Sequence, residues 1–269
     1  TLIGHMTLDG TQTNSMAAGL PLPRLSRGHF QFAHGKRLSA WSDDRLFEQT
    51  GVRIAFTSRD GGVSEGAYAS LDLGSNVPDD LSNVERNRAR LCAAMGADSR
   101  LCVTPLQIHG IHLVDIVSSD DDVVRVVASA QKEAGEGADG IVVARAGVSA
   151  LLCYADCMPI VLVSPKGDFA VLHSGWRGTI RHICIEGVRH LMRGSECSAD
   201  QLNAYIGPYI HHECFEVSEE LAQRFSNEFG TSAVPEYRHV DLGVCVRADL
   251  TSIGMDATRI ADVDRCTAC

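Results

Sequence analysis

Two histidines and one cysteine stand beside turns, where packing alone does not require polar side chains. His109 and His173 each close a short apolar run, and Cys157 follows a charged residue inside another. Two imidazoles and a thiolate form the three-ligand set of a catalytic zinc whose fourth position stays open to water or substrate. The spacings of 48 and 16 residues suit ligands that a sheet brings together. The pattern predicts an open metal centre, although each histidine could also be structural and Cys157 a core residue.

A zinc ion in such a centre would supply two kinds of chemistry. It would hold Cys157 as a thiolate, and it would lower the pKa of a bound water towards ~7, which supplies hydroxide at neutral pH. Asp156, directly before the cysteine, could orient that water or relay a proton. The same carboxylate could equally cap the turn, so both roles of Asp156 are open.

Two arginines are candidates for holding an anion. Arg177 lies next to a predicted helix start, and Arg59 lies beside the Gly61-Gly62 pair. Helix N-termini and backbone N–H groups exposed by glycine favour anions such as phosphate, and a guanidinium adds paired donors. A surface or ion-pair role is the alternative for each arginine.

The composition limits the classes of partner. The chain has 269 residues, 45% of them hydrophobic, which suffices to bury a core without disulfides. Lys and Arg total 24 against 34 Asp and Glu, and the net charge of −10 disfavours an electrostatic grip on nucleic acid or membrane. The longest apolar run, 150–163, is broken by Asp156, so no membrane span is predicted. Ten cysteines without a recognisable signal sequence indicate a reduced, cytoplasmic protein.

The hydrophobic pattern places these residues on the strands and helices of one domain. Residues 1–27 lack periodicity, contain a Gly-His-Met that resembles a tag remnant, and are predicted to be flexible, which leaves 28–269 as a single catalytic domain. Strands and helices do not alternate strictly, which favours an α+β or mixed α/β fold, a single compact domain with a mixed sheet and flanking helices. Strands or apolar runs are predicted at 52–56, 103–109, 111–117, 140–144, 150–153, 160–163, 169–173, 204–206 and 258–263, a hairpin turn at 165–168, and helices at 81–95, 179–192, 218–229 and 241–253.

Four short motifs around these residues occur together. They are Gln-x-His-Gly at 107–110, Ala-Asp-Cys-x-Pro at 155–159, His-x-Gly-Trp-Arg-Gly at 173–178 and Ile-Gly-Pro-x-Ile at 206–210. In combination they resemble the laccase-domain family, proteins once called polyphenol oxidases and now regarded as purine nucleoside phosphorylases with adenosine deaminase activity. The likeness covers most of the chain, from about residue 52 to residue 267.

The resemblance implies a single-domain α/β protein with a zinc bound by His109, Cys157 and His173. The implied reactions are phosphorolysis of adenosine, inosine, guanosine or methylthioadenosine to base and ribose 1-phosphate, and hydrolytic deamination of adenosine to inosine. The implied partners are purine nucleosides and phosphate, with the protein a monomer or a homodimer. The predicted catalytic residues are His109, Cys157, His173 and Asp156, and the residues predicted to bind substrate or phosphate are Arg59, Gln107 and Arg177.

Other chemistries stay open at this point. Two histidines and a cysteine with a nearby methionine, here Met158, also form a blue-copper ligand set, so a copper-dependent polyphenol oxidase is one alternative. A thiol or zinc hydrolase that edits cell-wall peptide precursors, with Cys157 as nucleophile, is another. A non-enzymatic, zinc-stabilised binding protein is a third. The Cys266-x-x-Cys269 pair gives only a weak indication of a redox or zinc role.

Overall fold

The chain folds into two six-stranded sheets that pack face to face across a shared core, with helices on the outer face of each sheet and two further helices packed against the shared core. The computed structural model describes residues 1–5, 19–32, 37–117 and 120–269. Within them the strands are β1 (Leu2–His5), β2 (Ser26–Gln31), β3 (Arg37–Ser42), β4 (Val52–Thr57), β5 (Cys102–Val103), β6 (Leu113–Ile116), β7 (Gly140–Val143), β8 (Ser149–Leu151), β9 (Met158–Val163), β10 (Phe169–Ser174), β11 (Asn203–Ile206) and β12 (Ile260–Asp262). The helices are α1 (Asp44–Thr50), α2 (Leu81–Met95), α3 (Val123–Glu136), α4 (Trp176–Ile180), α5 (Ile183–Ser195), α6 (Glu219–Phe229) and α7 (Leu242–Ser252).

One sheet has the strand order β12-β11-β9-β10-β7-β6 and is mixed, because β11 runs parallel to β12 and β6 parallel to β7. Its central strands are buried on both faces, which explains their continuous apolar sequence. On β9, Ile160 packs towards the core shared with α5 and α7, and Val161 packs towards the other sheet. The hairpin turn predicted at 165–168 is confirmed, with Ser164 N–H donating to Asp168 O at 2.8 Å.

The other sheet has the order β2-β3-β4-β1-β8-β5. Strand β1 lies between β4 and β8, and its Leu2 and Ile3 are fully buried. Residues 2–5, part of the segment predicted to be flexible, therefore form a paired strand, and residues 26–27 of that segment begin β2. A four-residue strand buried on both faces is too short to display a period, so its sequence carried no signal. Residues 6–18 of that predicted segment lie outside the described residues.

The helix predicted at 179–192 is divided into α4 and α5. His182 between them has a left-handed backbone with φ 58°, and its ring bonds Asp249 Oδ1 at 2.8 Å and Glu228 Oε1 at 3.1 Å. Thr179, the first residue of the predicted helix, lies inside α4 and donates to Gly175 O at 3.0 Å. The prediction of one helix is corrected because two carboxylates from other helices hold His182 outside the helical region.

The prediction of a single mixed α/β domain is confirmed, with two mixed sheets in place of one. Helices α2, α6 and α7 lie within a residue of their predicted bounds. The prediction of a strand or apolar run at 103–109 is corrected, because β5 ends at Val103 and an irregular loop carries the chain to His109. Within the described ranges, no helix is both long enough and apolar enough to cross a membrane.

Candidate metal centre

His109, Cys157 and His173, called the histidine centre below, meet at one point of the structure. One ligand atom of each lies within 4.8 Å of the others. The two imidazole centroids are 4.8 Å apart, with an angle of 74° between the ring planes. His173 is buried, Cys157 half-buried and His109 exposed, so the group is anchored on one side and open on the other. The arrangement has the geometry that an open metal site requires.

The β9–β10 hairpin positions two of the three side chains. Cys157 directly precedes β9, and His173 lies in β10 opposite Pro159 in the antiparallel register. The turn before β9 is tight, with Cys157 N–H donating to Ala155 O at 2.9 Å. Asp156 within it has φ 72°, a left-handed conformation that aspartate tolerates better than most residues. Strand pairing therefore brings together residues that are distant in sequence.

A buried carboxylate that sequence reasoning missed, Asp139, ties the third side chain to this hairpin. It lies directly before β7 and accepts backbone N–H bonds from Ile108 at 3.3 Å, His109 at 2.9 Å and Gly110 at 2.5 Å. Its Oδ1 also lies 2.8 Å from His173 Nδ1. Because Nδ1 faces the carboxylate, Nε2 of His173 is left to serve as the ligand atom.

The electrostatics of the two histidines differ. Burial alone would lower the pKa of His173, but hydrogen bonds to Asp139 and Cys157 raise it to about 9. Burial lowers the pKa of His109, and the neighbouring charges of His173 and Arg177 lower it further, while Asp139 opposes them. Burial opposes ionisation of Asp139, yet its bonds to His173 and to backbone N–H groups hold its pKa below the usual value. His109 is thus favoured as a neutral ligand, whereas a metal must displace a proton from His173.

Gly175 leaves the space that a metal ion would need. A Cβ atom at this position would lie 2.9 Å from Cys157 Sγ and 3.2 Å from His109 Cδ2. Behind the donors, the carboxylate of Asp139 orients one imidazole, as carboxylates commonly do at metal sites. The residues present fit a zinc ion held by two imidazoles and one thiolate.

The open side of the histidine centre faces a cavity of about 500 Å³. This volume lies within the range of small-molecule sites. Its wall combines apolar side chains with two guanidinium groups, those of Arg59 and Arg88. The apolar lining residues are Phe56, Leu71, Leu73, Val77, Pro105, Leu152, Pro159 and Pro208.

Arg59 and Gln107, both predicted to bind substrate or phosphate, line this cavity. Arg59 Nε and Nη2 donate to Ala69 O at 2.9 and 2.6 Å. Gln107 pairs with the Cys153 backbone in both directions, at 2.7 and 2.9 Å. The Gln107 amide thus ties the loop that carries His109 to the segment that leads to Cys157.

Asp156 and Arg177 are not among the residues that line the cavity. The Asp156 carboxylate accepts a hydrogen bond from Thr267 Oγ1 at 2.7 Å. The Arg177 guanidinium carbon lies 4.3 Å from the centroid of the Trp176 ring. The structure therefore brings neither side chain to the wall where substrate would bind.

Besides the buried Asp139, sequence reasoning did not select Arg88 and Tyr154, which line the cavity, as site residues. Arg88 Nε and Nη2 donate to Leu73 O at 2.8 and 2.6 Å. Tyr154 donates to Leu172 O at 3.0 Å, and its ring centroid is 5.6 Å from that of His173. The signal for Arg88 was a charge on the apolar side of α2. The signal for Asp139 was a lone carboxylate before an apolar run.

Fold and centre together define a class, that of mixed α/β domains with an open two-histidine, one-cysteine centre beside a small-molecule cavity. The chain belongs to the family described as multi-copper polyphenol oxidoreductase laccase, whose model matches residues 53–269. The family resemblance carried by the sequence motifs is thereby confirmed.

The chain is similar to proteins named for two activities. It is 32% identical over 228 residues to adenosine deaminase RL5 from an unknown prokaryotic organism, covering 81% of this chain and 85% of that protein. It is 30% identical to purine nucleoside phosphorylase YlmD of Geobacillus stearothermophilus, covering 81% and 82%. The crystal structure of that YlmD superposes with a TM-score of 0.71 at 26% identity, covering 89% of each chain. Hypothetical protein YfiH of Bacillus licheniformis shares the fold, with a TM-score of 0.74 at 24% identity over 86% and 87% of the chains.

Proposed function

We propose that the protein is a zinc-dependent purine nucleoside phosphorylase that also deaminates adenosine, with adenosine, inosine, guanosine and methylthioadenosine as substrates. The observation that carries the proposal is the position of His109, Cys157 and His173 at the wall of a nucleoside-sized cavity. The names of the two relatives, an adenosine deaminase and a purine nucleoside phosphorylase, support the two activities.

Zinc is preferred to copper because of the surroundings of Met158. A blue-copper site uses a methionine as a long axial ligand. Met158 is instead fully buried in the core on the helix side of the sheet, in the cluster that includes Ile160 and Leu172. When bound, zinc would act as a Lewis acid that polarises an oxygen and neutralises developing negative charge.

The lining residues divide into groups suited to the parts of the substrates. Phe56 and Leu71 offer apolar surface for a purine, and Arg59 and Arg88 offer positive charge for phosphate. Both arginines are fixed by backbone carbonyls through Nε and Nη2. The two N–H groups on each Nη1 are not used in these contacts, and we assign them to phosphate oxygens.

The two proposed reactions act on different atoms of the same nucleoside. In phosphorolysis a phosphate oxygen bonds to C1′ while the C1′–N9 bond breaks, and the base takes the electron pair and a proton. In deamination a water oxygen bonds to C6, the exocyclic C–N bond breaks, and ammonia leaves. Asp156 is assigned a positioning role through Thr267. Arg177 adds a positive charge that lowers the pKa of His109, after the larger effects of burial and of His173.

Incubation with adenosine and phosphate tests the proposal, with adenine, inosine, hypoxanthine and ribose 1-phosphate separated by chromatography. We expect turnover by the zinc-loaded protein and none after chelation or in Cys157→Ala. Cys197→Ala is the matched control, because Cys197 is a half-buried thiol that does not line the cavity. Undiminished turnover by zinc-free Cys157→Ala would refute the assignment. If the purified protein instead held copper at stoichiometry, was blue and oxidised phenols, the copper oxidase alternative would replace this assignment.

A further inference from the structure

Three cysteines outside the histidine centre form a second cluster that could hold a metal. We propose that Cys214, Cys266 and Cys269, called the cysteine cluster, bind a thiophilic divalent cation such as zinc, with His211 as the fourth ligand. The site would be structural, because four protein ligands leave no position for substrate. It takes no direct part in the proposed nucleoside chemistry.

The first support is the convergence of the sulfurs. The three Sγ atoms lie within 4.8 Å of one another. A tetrahedral zinc with Zn–S bonds of about 2.3 Å sets its sulfurs about 3.8 Å apart, so closure by up to about 1 Å completes the geometry. Cys214 and Cys269 are exposed and Cys266 is half-buried, which leaves the cluster accessible to an ion from solvent.

The second support is the backbone around Cys266. His211 N–H and Ala268 N–H point at Cys266 Sγ, with N···S distances of 3.5 and 3.4 Å. Two donors aimed at one sulfur favour its thiolate, which is the form that binds metal. Because Cys266 and Cys269 are three positions apart, Ala268 lies between these two proposed ligands, and its N–H can point at the Cys266 sulfur.

The third support is the ring of His211. Its Nε2 is buried and lacks a hydrogen-bond partner among the described residues, with Asp264 Oδ1 4.0 Å away. A buried imidazole nitrogen without a partner is costly, and a metal would satisfy it. Cys214 N–H donates to His211 O at 3.0 Å, so one turn carries both residues. Rotation of the ring towards the sulfurs would complete a Cys₃His set.

The cysteine cluster is connected to the cavity through the residue next to Cys266. Thr267 N–H donates to Tyr209 O at 3.0 Å, and Thr267 Oγ1 donates to Asp156 at 2.7 Å. Asp156 directly precedes Cys157 of the histidine centre. A metal in the cysteine cluster would therefore fix the segment that holds the Cys157 turn.

Cobalt substitution in a Cys157→Ala background tests the site. This background removes the thiol of the histidine centre, so a near-ultraviolet thiolate-to-cobalt band reports sulfur ligands elsewhere. We expect the band in Cys157→Ala, its loss in Cys157→Ala/Cys266→Ser, and its retention in the control Cys157→Ala/Cys197→Ser. Weaker cobalt binding, by tenfold or more, is expected in Cys157→Ala/His211→Ala.

Three results would overturn parts of the proposal. Absence of the band in Cys157→Ala, or its persistence after Cys266→Ser, would exclude the cysteine cluster as a metal site. Undiminished affinity in the His211→Ala variant would exclude His211 as the fourth ligand. Two alkyl groups fewer on the peptides that carry these cysteines, after alkylation of the denatured protein without a reductant, would show a disulfide among them instead. Circular dichroism of each variant separates loss of metal from loss of fold.

One further experiment depends on the proposed function, because it measures adenosine turnover. Cys266→Ser in the otherwise unchanged protein should keep the metal of the histidine centre and lose adenosine turnover several-fold. If the protein has no nucleoside activity at all, the cobalt result still stands. If turnover is normal while the cobalt band is lost, the site exists but does not support the Cys157 turn.

Discussion

The histidine centre and the cysteine cluster differ in how the fold holds their donors. The histidine centre draws its side chains from a central hairpin and a loop that the buried carboxylate of Asp139 joins. The cysteine cluster draws its thiols from two surface segments, and backbone N–H groups stand behind Cys266. The histidine centre therefore has a buried, charged support and an open side, and the cysteine cluster has an uncharged support of backbone N–H groups.

This difference between the histidine centre and the cysteine cluster shows how zinc could serve catalysis at one site and structural stability at the other within a single domain. A centre for chemistry needs a vacant position facing a cavity, and the absence of a side chain at Gly175 leaves room beside Cys157 and His109. A structural site needs enough donors to close the coordination sphere, and three thiols with an imidazole provide them. If this comparison is right, changes to the residues that support the histidine centre will reduce metal affinity or turnover more than changes to the residues that support the cysteine cluster.

The largest effect is expected from Asp139→Asn. The amide cannot accept all of the N–H bonds that the carboxylate accepts from the His109 loop, and it loses the charge that orients His173. Metal affinity of the histidine centre should fall by about 10–100-fold, measured by competition with a chromophoric chelator. Asp115→Asn is the control, because Asp115 also bonds a histidine, His190, at the surface. Equal affinity in both variants would contradict the role of the buried support.

Gly175→Ala should have a smaller effect on the same centre. The backbone of Gly175 has φ −78°, which alanine adopts freely, so the contacts of the added methyl with Cys157 and His109 decide the result. Overpacking of this kind costs about 1–3 kcal/mol, and metal affinity should fall by about tenfold in the same competition assay.

Gly135→Ala is the matched control for this substitution. Gly135 lies in α3, and a Cβ there meets nothing within 4 Å. Metal binding should be unchanged, and thermal stability should rise, because alanine is favoured over glycine in a helix by about 0.5–1 kcal/mol. If Gly175→Ala bound metal as tightly as this control, the space beside Cys157 would not be needed for the ion.

Local signals made parts of the fold predictable from sequence. Helix α2 has an Asp80 cap at its start and a left-handed Gly96 at its end, and both are visible in the sequence. The apolar runs of β9 and β10 and the turn between them were equally clear. The convergence of the two histidines and the cysteine was predicted from their residue types and their positions beside turns.

The support of the histidine centre depends on contacts between distant parts of the chain. Asp139 bonds residues 30 and 34 positions away, and no local pattern encodes such a pairing. The left-handed backbone of His182 is set by carboxylates of α6 and α7, which explains why one predicted helix became two. Arg177 appeared well placed beside a helix start, yet its side chain lies over Trp176 and away from the cavity wall.

The smallest effect is expected from Thr267→Val, which removes the hydrogen bond that Thr267 Oγ1 donates to the Asp156 carboxylate and leaves the backbone bond from Ile210 to Asp156 O in place. Loss of a single hydrogen bond costs about 1 kcal/mol, which corresponds to about fivefold in turnover if it is all expressed in the transition state. Metal content of both sites should be unchanged, because Thr267 is a ligand of neither. Thr258→Val, which removes a similar bond to Asp256, is the control measured in the same adenosine assay. Equal turnover in the two variants would show that the Thr267–Asp156 bond does not support the Cys157 turn, whereas a defect confined to Thr267→Val would show that this bond is needed for full turnover.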